Sequence, residues 1–181
     1  MKNRSVADAI VFATEKHEGQ TRKDGTPYIW HPIGVAFAVK RLGFPAEYQI
    51  TALLHDVYED TDTTYEELAE FGEDVAEAVL LLSKNHNQTN EEEYIDRIRK
   101  NHIAAVVKNC DRIFNLREAV EFGDPVFLEK YIKESKTFFE HKFSPALDEA
   151  IRIAQNAKDT RQKPPLDEYN GFELYSDSEG K

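Results

Sequence analysis

The chain has 181 residues, 40% hydrophobic and 31% charged, the balance of one soluble globular domain large enough to bury a core unaided. Its net charge of −11 disfavours binding duplex nucleic acid through phosphates, and a single cysteine, Cys110, excludes an intrachain disulfide and points to a reducing cytoplasm. With no apolar leader core and no run of eighteen apolar residues, neither secretion by signal peptide nor membrane spanning is expected.

Helical signals dominate along the chain. Ser5 to His17 carries Val6, Ala9, Ile10 and Ala13, and Gly19 stops it. A polar loop, GQTRKDGTPYIW, runs up to a Pro32 suited to a first helical turn, which makes His31 the expected N-cap. Val35, Ala38, Val39 and Leu42 mark the next buried face, closed by Gly43; Pro45 opens a third helix with Ile50, Leu53, Leu54 and Val57 inward. Thr64 with Glu67, and Asn90 with Glu93, have capping-box spacing, and Val75, Ala78, Val79 and Leu82 stripe the segment between. Ile103 to Phe122 is a long amphipathic run ended by Gly123, and Asp124-Pro125 and Ser144-Pro145 start two more helices. No stretch alternates long enough for a sheet. The expectation is an all-α bundle of seven to nine helices over residues 1–159, with residues 160–181 as an extended or disordered tail.

HDVYED, residues 55 to 60, concentrates one imidazole and three carboxylates inside an apolar segment. Such a cluster repels itself unless a cation or proton compensates it. On a continuous helix His55 and Glu59, like Asp56 and Asp60, stack four apart along one flank. An exposed acidic helix end is the plain alternative. Two further features weigh against it. Lys108, Asp111, Asn115 and Glu118 form one polar stripe on an otherwise apolar helix, and an N-cap His31 favours the neutral ring that a metal needs. His31, His55, Asp56 and Asp111 make a mixed nitrogen–oxygen set suited to Mn²⁺, Fe²⁺ or Zn²⁺, with the acidic, thiolate-free character favouring Mn²⁺. Glu59 and Asp60 then orient or deprotonate a water whose pKa the metal lowers. Arg22 and Lys23 bring two cations just ahead of His31, for phosphate or a nucleobase, unless they are only a solvated loop.

The segments GQTRKDGTPYIWHP, ALLHDVYEDT and VKNCDRIFNLRE resemble the hydrolase domain of the RelA/SpoT family, a branch of the HD phosphohydrolases, and in particular its small single-domain alarmone hydrolases. The resemblance implies an all-α HD domain binding one Mn²⁺ through His31, His55, Asp56 and Asp111. It implies removal of the 3′-pyrophosphate from guanosine tetra- or pentaphosphate, giving GDP or GTP. It also implies a water-activating pair in Glu59 and Asp60, and nucleotide contacts from Arg22, Lys23 and Asn115. With no synthetase domain within residues 1–181, hydrolysis without synthesis is expected.

The chain departs from the pattern at two positions. Phe114 stands at a common His that is not a metal ligand in the family, so changed packing is expected there. Glu118 stands where other members often carry a nucleotide-contacting Thr. Its carboxylate can accept from guanine N1–H and N2–H₂ or from the adenine amine, so base identity stays open. The alternatives are turnover of an adenosine alarmone or of the NADPH phosphate, or a nucleotide-binding module without turnover. The expected partner in every case is a small nucleotide, with no membrane and no duplex nucleic acid.

Overall fold

Ser5 and Thr64 show how local chemistry sets helix starts in this chain. Each side chain accepts from the backbone N–H three residues on, and the residue there (Asp8, Glu67) bonds back to the cap, so both are reciprocal capping boxes. Asn90 likewise caps its helix, accepting from Glu92 and Glu93. The residues described are 4–84, 90–122 and 125–160 of a computed structural model. They form α1 (Val6–Lys16), α2 (Trp30–Arg41), α3 (Ala46–Leu54), α4 (Val57–Asp60), α5 (Tyr65–Ala69), α6 (Glu73–Leu82), α7 (Glu91–Lys100), α8 (His102–Phe122), α9 (Pro125–Phe138) and α10 (Pro145–Thr160). α4 and α5 are single turns, which leaves eight longer helices. No strand occurs among the described residues, only an isolated bridge between Thr21 and Pro27, and the all-α expectation holds.

The chain divides into two compact units after Cys110, within α8. In the first, α3 is the central helix and packs on α1, α2 and α6, while α5 and α7 pack on α6. Its core includes Ala9, Val35, Val39, Leu53, Leu54, Val79, Ile95 and Ile98. Ile10, grouped with the apolar positions of α1, is instead 39% exposed; Phe12, on the same face as Ala9 and Ala13, is buried. Lys16 at the end of α1 reaches Asp62 at 3.0 Å and Glu67 at 3.1 Å, and so ties the segment after α4 to the first helix.

In the second unit α9 packs on α10 around Leu128, Ile132, Leu147 and Ile151. Arg112 is buried between the rings of Tyr131 and Phe139, at 5.0 and 4.3 Å, and pairs with Glu134. Ser144 caps α10 through Leu147, as its Ser-Pro start implies. Gly123, Asp124 and residues 161–181 lie outside the described residues, as does nearly all of the expected tail.

Two elements differ from the sequence expectation. α2 starts at Trp30 after Ile29, so His31 sits inside the first turn rather than at its N-cap. Pro32 fits there because first-turn N–H groups need no intrahelical partner. More consequentially, HDVYED is not one helix. α3 ends at Leu54, His55 and Asp56 form a turn with Asp56 at φ −103° and ψ −12°, and α4 begins at Val57.

Thr64 N–H, then the Lys16 ammonium, hold the Glu67 carboxyl below its usual range. A depressed carboxylate contributes stability above its unfolded pKa and loses it as pH falls through the folded value. Glu67→Gln is therefore expected to lower the urea midpoint at neutral pH, with the difference from wild type fading below about pH 4. A deficit that persists in acid would contradict this.

Candidate functional site

The turn between α3 and α4 brings two neighbouring residues to one point. Residues i and i+1 on a continuous helix do not face each other, yet His55 Nε2 lies 3.1 Å from Asp56 Oδ2. His31, from the first turn of α2, places its Nε2 3.3 Å from His55 Nε2 and 3.7 Å from Asp56 Oδ2. Both rings are buried, and Asp56 is half-buried.

The proton positions make this triangle informative. His55 Nδ1 is 2.7 Å from the Ala52 carbonyl. A carbonyl can only accept, so Nδ1 carries the proton and Nε2 is a bare lone pair in the neutral ring. That lone pair faces a carboxylate oxygen and a second imidazole nitrogen, an arrangement that repels until a cation or proton lies between them. Ligand atoms about 2.1 Å from one ion lie about 3.0 Å apart at a right angle and about 3.4 Å apart at the tetrahedral angle. The edges of 3.1 and 3.3 Å fall in that range and the His31–Asp56 edge of 3.7 Å is longer, so the two imidazoles with a carboxylate fit a divalent cation by donor type and by two of the three edges. Asp111 is the first residue of the second unit. Asp111 is buried and accepts from Asn115 Nδ2 at 2.5 Å, one helical turn on.

The flanking carboxylates differ in their surroundings. Glu59 is exposed, and its Oε2 accepts from the Lys84 backbone N–H at 2.7 Å, which anchors one oxygen of the carboxylate. Partial burial, then the charges of Asp56 and Glu59, push the Asp60 carboxyl above its usual range, against the opposing influence of His17 and His55. Gln20 donates to the Asp60 carbonyl at 3.2 Å and bonds His17 Nδ1 at 2.9 Å.

Arg22 and Lys23 ride on a tight loop. Arg22 N–H donates to the Thr26 carbonyl, Gly25 N–H donates back to Arg22, and Asp24 accepts from Thr26. Gly25 adopts φ +84°, a left-handed conformation that suits glycine. Lys23 is exposed; the Arg22 guanidinium lies 5.8 Å from the centre of the Tyr28 ring. On α8, Lys108 sits 5.9 Å from the Tyr94 ring, and Glu118 is half-buried.

Sequence reasoning passed over Tyr28. Its hydroxyl donates to Asp56 Oδ2 at 2.5 Å, and its ring lies 4.7 Å from that of His17 and 5.9 Å from that of His31. Burial, then the Asp56 charge, push the phenol well above its ordinary range and keep it a donor. The available signal was its place three residues before His31. A lone aromatic in a loop reads first as packing.

Helices arranged around a buried His/Asp centre suited to a divalent cation define the class. The HD domain family matches residues 9–125, and the chain belongs to it. It is 44% identical over 117 residues to the guanosine-3′,5′-bis(diphosphate) 3′-pyrophosphohydrolase of Aquifex aeolicus, a match covering 60% of this chain and 17% of that one. To the enzyme named guanosine-3′,5′-bis(diphosphate) 3′-pyrophosphohydrolase MESH1 of Danio rerio it is 40% identical over 120 residues, covering 61% and 67%. The bifunctional (p)ppGpp synthase/hydrolase SpoT of Escherichia coli is 38% identical over 120 residues, 60% of this chain and 17% of that one. A solved structure described as a metazoan ortholog of SpoT that hydrolyses ppGpp shares the fold, with a TM-score of 0.66 at 22% identity over 87% of this chain and 98% of that one. No helix among the described residues is long and apolar enough to cross a membrane.

The tautomer assignment is open to direct measurement. Long-range ¹H–¹⁵N spectra of EDTA-treated protein near pH 8 should show His55 protonated at Nδ1 and bare at Nε2. The opposite tautomer would remove the argument for a cation at the triangle.

Proposed function

We propose that this chain hydrolyses guanosine 3′,5′-bis(diphosphate) to GDP and pyrophosphate, using one Mn²⁺ held by His31, His55, Asp56 and Asp111. The observation that carries the reading is the triangle of His31 Nε2, His55 Nε2 and Asp56 Oδ2, in a chain whose relatives are named as 3′-pyrophosphohydrolases. When bound, the ion supplies positive charge at the carboxylates and makes a water acidic enough to attack phosphorus at neutral pH.

The remaining steps fall to side chains. Glu59, with Oε2 fixed by the Lys84 amide, has its second oxygen available to take a proton from the attacking water. Asp60, whose carboxyl is pushed upward, holds a proton more readily and is suited to passing one to the leaving 3′-oxygen. The water oxygen joins the pyrophosphate, the bond from phosphorus to O3′ breaks, and O3′ leaves protonated. Arg22 and Lys23 offset the negative charge of the substrate against a chain of net charge −11. Asn115, Lys108 and Glu118 complete the nucleotide contacts, and a cytoplasmic setting suits the lone, buried Cys110.

Glu118 supports a second reading. A half-buried carboxylate on α8 accepts as well from an adenine amine as from guanine, so an adenosine alarmone or the NADPH phosphate is the competing substrate. A binding module without turnover is the remaining alternative.

Incubating the protein with each of the three nucleotides, in Mn²⁺ and in EDTA, and separating products by anion exchange tests all of these. The expected result is Mn²⁺-dependent pyrophosphate from the guanosine compound. Preferred release from another substrate would transfer the function and implicate Glu118, and no turnover despite bound metal would leave a binding module.

Glu59→Gln keeps an acceptor for the Lys84 amide and should retain the metal while lowering kcat by about 10²- to 10⁴-fold. Undiminished kcat would remove Glu59 from the proton transfer.

A further inference from the structure

Tyr28 is joined to the proposed centre by one short hydrogen bond and to its surroundings by packing on several sides. The loop that carries it is closed by its own backbone, with Tyr28 N–H donating to the Gln20 carbonyl and His31 N–H to the Tyr28 carbonyl. Its ring rests against His17, which is 3% exposed and held by Gln20. The hydroxyl is therefore delivered by a supported aromatic frame rather than by a free loop. It donates to Oδ2 of Asp56, the same oxygen that faces Nε2 of both His31 and His55.

A carboxylate oxygen has two in-plane lone pairs. With the Tyr28 O–H on one, the other is set toward the imidazole nitrogens. We propose that Tyr28 is a positioning residue for metal binding, with its hydroxyl holding the Asp56 carboxylate in the orientation that meets the cation. The inference rests on the metal-centre reading above and adds to it a residue that acts through Asp56 rather than on the nucleotide. Partners that orient a metal ligand in this way are commonly worth 10- to 100-fold in metal affinity.

The test is a Mn²⁺ titration by calorimetry, on wild type and on Tyr28→Phe, which keeps the ring against His17 and His31 and removes only the donor. Trp30, the single tryptophan of the chain, is next to His31 and gives an independent optical readout. Tyr28→Phe should bind Mn²⁺ about 10- to 100-fold more weakly. At saturating Mn²⁺ its KM for the nucleotide should match wild type.

Coupling through Asp56 is tested by repeating the substitution in Asp56→Asn, where it should leave the remaining Mn²⁺ affinity unchanged. Replacing Tyr28 by 3-fluorotyrosine, which keeps both the ring and the hydroxyl donor, should bind more tightly than Tyr28→Phe, and melting in EDTA shows whether each variant folds. Equal Mn²⁺ affinity in wild type and Tyr28→Phe overturns the proposal, whatever their melting temperatures in EDTA. A raised KM with unchanged Mn²⁺ affinity overturns it too, since the hydroxyl then serves the substrate. Failure of wild type itself to bind Mn²⁺ would instead refute the metal-centre reading.

Discussion

A bare imidazole lone pair held against a carboxylate is the constraint on which the centre depends. The Ala52 carbonyl dictates it by claiming the only proton of the neutral His55 ring. Ala52 belongs to α3, whose neighbouring residues Leu53 and Leu54 lie at the middle of the first unit's core. The ring cannot turn to relieve the repulsion without giving up that bond and entering packed side chains. Burial energy from the helices is thereby committed to a local arrangement that a cation or a proton between the three groups relieves. Conflict of this kind, tolerated locally because the surrounding fold is well determined, is typical of functional sites.

The turn at His55–Asp56 makes the arrangement possible. An uninterrupted helix would direct these two side chains about 100° apart. Ending α3 at Leu54 and restarting at Val57 lets both contribute to one point while Val57 still reaches the core. The two single-turn helices that follow are then held by the Lys16 ion pairs and the Thr64 capping box.

Much of this was legible in the sequence and some was not, for identifiable reasons. Apolar periodicity and cap residues locate the helices because those signals are local: Thr64, Asn90 and Ser144 cap as their neighbours suggest. His31, His55 and Asp56 were legible as candidates by residue type, and they do converge. The break in α3 was not, because ALLHDVYED contains neither glycine nor proline to mark it. At the break His55 bonds back to the Ala52 carbonyl through its side chain and faces His31 from another helix, and neither contact has a marker in the sequence. Tyr28 and the Lys84 amide were missed for related reasons. The role of one depends on a partner 28 residues away, and the other acts through a backbone group that every non-proline residue carries.

The Lys84 contact has a bearing on how this site can change over evolutionary time. Glu59 is held by a main-chain N–H at the end of α6, so the hydrogen bond does not depend on which side chain occupies position 84. Drift there can alter surface charge, or the pairing of the lysine with Glu91, while the carboxylate keeps its anchor. An aligned set of sequences would then show a variable column at position 84, whatever is held at position 59. Proline, which lacks the donor, and any insertion that shifts the end of α6 are the changes that such a column should still exclude.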